Sequence, residues 1–315
     1  MNHPIQIRRS TLLVLVIVSF VSTVNADDVA TGSSRPFRIV GYLPDYRVEM
    51  TDPAIGKDLT DLVFFSVVPD PRGDFESKFL ESPKTKTLLK KLRDEYKTQI
   101  HLCVGGWERS QGFAAIAATP ASRKKFASGL SHYCRHHHFA GADLDWEHPQ
   151  NAVESKNYGL LLSEIAHEFK PHGLRLTAAM AAWQTLTPEG IKAVDAIHLM
   201  SYDADGKHST FEQSKIDVQK FLDAKVPAEK IRLGLPFYGR GIVQRDLAKP
   251  WSEIAPLVKS SETDELDGLY FNGPATIRAK TGYAKQQKLG GVMIWEIGQD
   301  ASGDASLLKV IRETD

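Results

Sequence analysis

Charge of one sign is missing from this chain: 39 basic residues stand against 39 acidic ones. That balance removes the electrostatic footprint expected of a nucleic-acid or anionic-membrane partner. Long hydrophobic runs are missing too, since a membrane-spanning helix needs about 20 apolar residues. The run Leu12 to Val21 is shorter, follows Arg8 and Arg9, and precedes the small residues Val24, Asn25 and Ala26. Residues 1–26 therefore read as an export signal removed after Ala26, which gives a secreted or periplasmic chain without membrane attachment. An uncleaved anchor is the alternative, and the paired arginines leave a twin-arginine route open. Cysteine is scarce, with only Cys103 and Cys134 in 315 residues, so an exported chain of this kind cannot rest on a disulfide framework. Both thiols are expected free, the first ending a predicted strand and the second inside a predicted helix, with a bridge between them as the alternative.

A glycine-rich phosphate turn is also lacking. The first predicted strand runs into Leu43, Pro44 and Asp45, and Gly105 with Gly106 carry neither a phosphate-binding lysine nor a dinucleotide fingerprint, so close backbone approach is the better reading of that pair. What is present is a succession of short apolar runs with helical patterns between them: Phe37 to Tyr42, Leu62 to Val68, Ile100 to Val104, Phe139 to Trp146, Leu174 to Ala179, Ala196 to Met200, Ile231 to Pro236 and Gly291 to Trp295. Near-continuous apolar strands are buried on both faces, as in parallel sheets wrapped by helices. Eight of them, mostly about 20 to 40 residues apart, suit an α/β fold of the (β/α)8 TIM-barrel type over residues 37–315, after a polar lead-in at 27–36. A doubly wound open sheet is the competitor, and it would usually carry the missing phosphate turn.

A barrel places its site at the C-terminal ends of the strands. Those ends hold Tyr42, Phe65, Trp107, Glu147, Tyr202 with Asp203, Tyr238 with Arg240, and Trp295. Aromatic faces stack on sugar rings while carboxylates and phenols bind their rims, although any one aromatic standing alone would more often be core. The fourth run carries Asp143, Asp145 and Glu147 at alternate positions, which a strand turns to one face. Three carboxylates in a poorly solvated place cannot all ionise at neutral pH, so a proton is expected to be shared and one pKa raised, as a general acid requires. The bland alternative, an acidic edge or a calcium loop, lacks the obligatory glycine and has Trp146 and Pro149 where further oxygen ligands belong. His136, His137 and His138 beside Cys134 precede the acidic strand at the opposite mouth of a barrel and read as a solvated helix end, so no metal site is expected. Between Arg240 and Gly290 an extended loop is expected around Trp251 and the polar run Lys259 to Asp267, followed by a helix from Thr276 to Gln287. Trp251 is either a substrate contact or packed inward.

The sequence resembles the family 18 glycoside hydrolases, the chitinase-like enzymes. Their D-G-x-D-x-D-x-E signature is matched at 140–147, their S-x-G-G signature in altered form at Cys103, Val104, Gly105 and Gly106, and their M-x-Y-D signature at Met200, Ser201, Tyr202 and Asp203. The resemblance implies that Glu147 protonates the glycosidic oxygen while the substrate's own 2-acetamido oxygen acts as nucleophile, with retention of configuration. It further implies that Asp145 stabilises the cationic intermediate, that Asp143 shares a proton with Asp145, and that Tyr202 donates to the acetamide. Asp203 would orient the sugar, Met200 would line the site, Tyr42 and Trp295 would form its floor, and Trp107 would serve the leaving-group side. Trp146 is expected to face away from the acids, under the helices. Two positions depart from the family pattern, Ala140 for its first aspartate and Cys103 for its serine, and the weaker thiol donor is expected to shift the pH profile.

The expectation that follows is an exported, monomeric, metal- and cofactor-independent, endo-acting hydrolase of β-1,4-linked N-acetylglucosamine polymers. The gap after the seventh strand is too short for a sizeable inserted α+β domain, and the lack of a binding module or linker favours soluble chains over crystalline chitin. The alternatives are action on N-linked glycans or a cell-envelope glycan, and a non-catalytic chitin-binding lectin.

Overall fold

The computed structural model describes Met1, residues 36–76 and residues 78–315. The expected export signal lies outside the described residues, as does all of the lead-in except Pro36.

All eight apolar runs form strands: β1 Arg38–Pro44, β2 Asp61–Pro69, β3 Gln99–Gly105, β4 Gly141–Asp145, β5 Arg175–Ala181, β6 Ala196–Met200, β7 Ile231–Pro236 and β8 Gly291–Trp295. Each pairs in parallel with its neighbour in sequence, and β8 returns to β1 through Arg38↔Gly291 to Gly41↔Ile294, so the sheet closes as a barrel. Helices wrap it, among them α1 Pro83–Tyr96, α2 Pro120–His136, α3 Ala152–Phe169, α4 Pro188–Ala193, α5 Phe211–Asp223, α6 Pro274–Gln286 and α7 Leu307–Glu313.

Alternation along each strand divides the core into two layers. Outward residues such as Ala142, Leu144 and Leu199 pack beneath the helices in the larger apolar layer. Trp146 joins them, stacked on Phe113 at a centroid distance of 5.5 Å and edge-on to Tyr158. Inward residues Val40, Tyr42, Val63, Phe65, Cys103 and Met293 fill the barrel itself. Its N-terminal mouth is lined by charge. Asp61 accepts from Arg38 Nε at 2.6 Å and Nη2 at 2.7 Å, and His101 Nε2 stands 3.3 Å away. Burial works to raise the Asp61 pKa, but His101 and Arg38 hold it well below the usual carboxylate range.

Local signals fix where the catalytic-face loops end. The N-cap Asn151 accepts from the Glu154 N–H at 3.0 Å, so α3 starts five residues after Glu147. Thr210 does the same for α5 through the Gln213 N–H at 3.0 Å, which delimits the loop carrying Asp203. Gly106 holds φ +105°, and a Cβ there would meet the Phe65 ring at 2.4 Å, so this turn tolerates only glycine.

The stretch after β7 differs from the extended loop expected of it. Tyr238–Gly241, Ala248–Pro250, Glu265–Leu266 and Leu269–Tyr270 pair into a small antiparallel sheet. Trp251 packs inward, 3% exposed, with its indole N–H donating to Ala305 O at 2.8 Å. It is a core residue of this insertion and no substrate contact. The helix expected from Thr276 to Gln287 is α6, and both cysteines are free and buried.

Candidate active site

Asp143 and Asp145 project from β4 into the barrel, and Glu147 follows where the strand gives way to its loop. The three carboxylates have different surroundings, and those surroundings separate their chemistry. Asp143 is fully buried and ringed by donors: Tyr42 Oη at 2.6 Å on Oδ2, Thr177 Oγ1 at 2.5 Å on Oδ1, His198 Nδ1 at 3.1 Å from Oδ1 and, more weakly, Cys103 Sγ at 3.8 Å. Burial pushes its pKa up, but His198, Thr177 and Tyr42 outweigh that and leave it below the usual value. Asp143 is the permanent carboxylate of the trio.

Asp145 is 3% exposed, and its Oδ1 has no hydrogen-bond partner among the described residues. Burial, the Glu147 charge and the Asp143 charge, in that order, raise its pKa well above the ordinary range. Glu147 is raised to about 7, first by burial and then by the charge of Asp203, against opposing hydrogen bonds from the Trp107 N–H and Asp145. The proton was expected between Asp143 and Asp145; the shifts run in the direction that favours a proton on Asp145 and Glu147. The donors around Asp143 saturate it, and Asp145 is left to pair with the next carboxylate up the strand. Ser110 Oγ fixes the backbone here, accepting from the Glu147 N–H and donating to Asp145 O, both at 3.0 Å.

Above the acids lies a cleft of about 130 Å³ that brings together Tyr42, Phe65, Trp107, Met200, Tyr202, Asp203 and Trp295 with Asp145 and Glu147. Trp295 stands edge-on to Phe65 at 4.8 Å and to Tyr42 at 5.7 Å, which locks the indole across the floor. Trp107 is 68% exposed at the rim. Tyr202 is kept a neutral phenol chiefly by burial, and among the described residues its hydroxyl reaches the Met293 thioether, at 3.7 Å. A thioether is a weak acceptor, so this donor is free for a stronger one.

Tyr238 and Arg240 do not line the cleft. They belong to the inserted sheet and stand behind Asp203, where Tyr238 Oη donates at 2.7 Å and Arg240 donates through Nε at 2.6 Å and Nη2 at 2.8 Å. Burial is overcome by the bonds from His208, Arg240 and Tyr238, and the Asp203 pKa falls to about 2. They hold Asp203, whose φ of 62° is left-handed. Thr177, His198, Ser110, Ala179 and Met293 escaped the sequence reading. Period-two alternation back from Met200 points to His198, but Thr177 and Ser110 carry no motif. Among the described residues no group of three His, Cys, Asp or Glu side chains is placed to hold a metal ion.

The model of the glycosyl hydrolases family 18 matches residues 38–300, from the first barrel strand to just past the last. The chain belongs to that family. Chitinase 1 of Aphanocladium album is 30% identical over 70% of this chain and 66% of its own length. Probable chitinase 2 of Drosophila melanogaster is 27% identical over 83% and 55%. The chain thus spans two thirds or less of these curated relatives. The crystal structure of a family 18 chitinase of Flavobacterium johnsoniae superposes with TM-score 0.79 at 28% identity, covering 89% of this chain and 94% of that one. With the family in hand, the altered serine of the family 18 pattern is the Cys103 that faces Asp143, and the altered aspartate is Ala140, just before β4.

Proposed function

We propose that this chain hydrolyses β-1,4-linked N-acetylglucosamine chains, with retention, by substrate-assisted catalysis. The observation that carries the reading is the geometry of the three carboxylates: Glu147 and Asp145 line the aromatic cleft above Asp143, which Tyr42 and Thr177 hold by hydrogen bonds, and burial with the charge of Asp203 raises the Glu147 carboxyl to about 7. A general acid works best with a pKa near the working pH. Glu147 delivers its proton to the glycosidic oxygen as the sugar's acetamido oxygen attacks the anomeric carbon and the leaving sugar departs. The Tyr202 hydroxyl donates to that acetamide. Asp145 turns its carbonyl oxygen to the acetamide N–H, and the ionised Asp143 beneath it, with Glu147 once its proton has left, balances the positive oxazolinium. Water then attacks the anomeric carbon while Glu147, now a carboxylate, takes the proton back. No second carboxylate acts as nucleophile, which sets this scheme apart from the two-carboxylate pattern.

The named chitinases among its relatives support the substrate class, and the compact insertion supports endo action on soluble chains, because it braces Asp203 without building a high wall. Export after cleavage at Ala26 and a monomeric state belong to the same proposal. Hydrolysis of a chito-oligosaccharide by the parent, lost in Glu147→Gln, tests it. Tight binding of the oligosaccharide without turnover in the parent would replace the enzyme by a lectin, and cleavage confined to glycoprotein N-glycans would replace the substrate.

A further inference from the structure

His198 lies on β6 two residues before Met200, so alternation turns it into the barrel, 2% exposed. The scheme above assigns it nothing. Its Nδ1 is 2.7 Å from Tyr42 Oη and 3.1 Å from Asp143 Oδ1. An ionised carboxylate only accepts, and a phenol has a single hydrogen. Tyr42 gives that hydrogen to Asp143 Oδ2 at 2.6 Å. The hydrogen in the contact between His198 and Tyr42 must then come from Nδ1, which fixes the imidazole as an Nδ1–H donor on the Asp143 side.

The surroundings of the ring are asymmetric. Tyr42 of β1, Asp143 of β4 and Thr177 of β5 meet on one side, with Cys103 of β3 across the carboxylate. Away from the substrate cleft, His198 lines a cavity of about 290 Å³ at the N-terminal mouth, together with Arg38, Asp61, His101, Arg175, Asp195 and Arg232. Arg232 is its register partner on β7. The volume suffices for several waters at about 30 Å³ each. His198 therefore stands between a solvent-sized space at one mouth of the barrel and the carboxylate chain that serves the other.

We propose that His198 is a positioning residue of the reaction: its Nδ1–H holds Asp143 as a carboxylate, and that fixed charge keeps the proton on Asp145 and Glu147 while the cleft is filled by substrate. The imidazole also lines the cavity at the opposite mouth, a side that substrate in the cleft does not cover. Asp143 and Asp145 share one strand face two residues apart, so the charge held on the first acts directly on the second. The inference rests on the glycosidase reading for its kinetic arm alone.

The test compares the parent with His198→Asn. A buried Asp143 without this donor gains a proton at higher pH, so the acid limb of kcat/KM on a chito-oligosaccharide should move up by at least one pH unit while the alkaline limb, set by Glu147, stays in place. A uniform loss at every pH would reduce His198 to a packing residue and overturn the proposal. The second arm needs no turnover. In the variant the buried Asp143, short of a donor, keeps its proton to higher pH than the unfolded chain does, a cost that grows as pH rises above the ordinary carboxyl range and that the parent, with its depressed carboxyl, does not carry; the fall in urea midpoint caused by His198→Asn should therefore be largest at pH 7 and shrink toward pH 4, whereas a constant gap would again overturn the idea. A parent that hydrolyses nothing sinks the proposed function and leaves this arm to decide. For a variant that does not fold, nitrogen-15 histidine NMR on the parent decides: a protonated Nδ1 of His198 between pH 5 and 8 supports the assignment, and a bare Nδ1 with the proton on Nε2 contradicts it.

Discussion

Replacing Glu147 by glutamine should stabilise the fold, increasingly as pH rises from about 4.5 to about 7 and fully above that. The carboxyl is raised from 4.5 to about 7, mainly by burial and by the charge of Asp203. A group whose folded pKa lies above its unfolded value loses stability as pH rises from the lower to the higher figure, since the unfolded chain gives up its proton first. A displacement of that size corresponds to roughly 3 kcal/mol above pH 8, at about 1.4 kcal/mol per pH unit. With the side chain 14% exposed and its titration shared with Asp145, the upper limit is not reached, and about 1 to 3 kcal/mol is the expected range. Glutamine keeps the shape without the charge. Thermal unfolding of parent and variant at pH 4 and pH 8.5 is the assay: near-equal Tm at pH 4, and the variant higher at pH 8.5 by several degrees, at about 2 to 4 °C per kcal/mol for a domain near this size. The same Tm difference at both pH values, or a variant less stable at pH 8.5, would refute the claim that Glu147 is a destabilised, proton-holding acid.

Further consequences concern the neighbours of that acid. Asp203→Asn removes the charge that lifts Glu147, so the alkaline limb of the rate profile should move to lower pH, read from kcat/KM between pH 6 and 9. Cys103→Ser gives Asp143 a stronger donor than the thiol now 3.8 Å away, and the acid limb should move down by less than one pH unit; superimposable curves would remove Cys103 from the network. Trp251 and Trp295 should separate cleanly. Trp251→Ala empties a buried site and frees the Ala305 carbonyl, costing about 3 to 5 kcal/mol in urea unfolding with KM unchanged, whereas Trp295→Ala should raise KM at modest cost in stability.

The barrel was legible because its strands are buried on both faces and so leave near-continuous apolar runs; each of the eight runs, from Phe37–Tyr42 to Gly291–Trp295, meets a strand within a few residues. The cleft was largely legible as well, because strand-end aromatics and the alternation of Asp143, Asp145 and Glu147 are local patterns. What escaped depends on register between strands far apart in sequence. Thr177 and His198 reach Asp143 from β5 and β6, and nothing in their own stretches reveals that meeting. The inserted sheet escaped for a different reason. Its strands are two to four residues long, too short to show periodicity, and Tyr238 and Arg240 therefore looked like the end of β7 when they sit on a separate strand that turns them behind Asp203.

The central claim is that Glu147 works as an acid on a substrate that supplies its own nucleophile. Proton NMR of a soluble N-acetylglucosamine oligosaccharide during the first minutes of hydrolysis reads it directly. The account predicts new reducing ends that appear as the β-anomer and mutarotate only later, with the rate lost about 10²- to 10⁴-fold in Glu147→Gln. Product that appears first as the α-anomer, or an unchanged rate in Glu147→Gln, would contradict it.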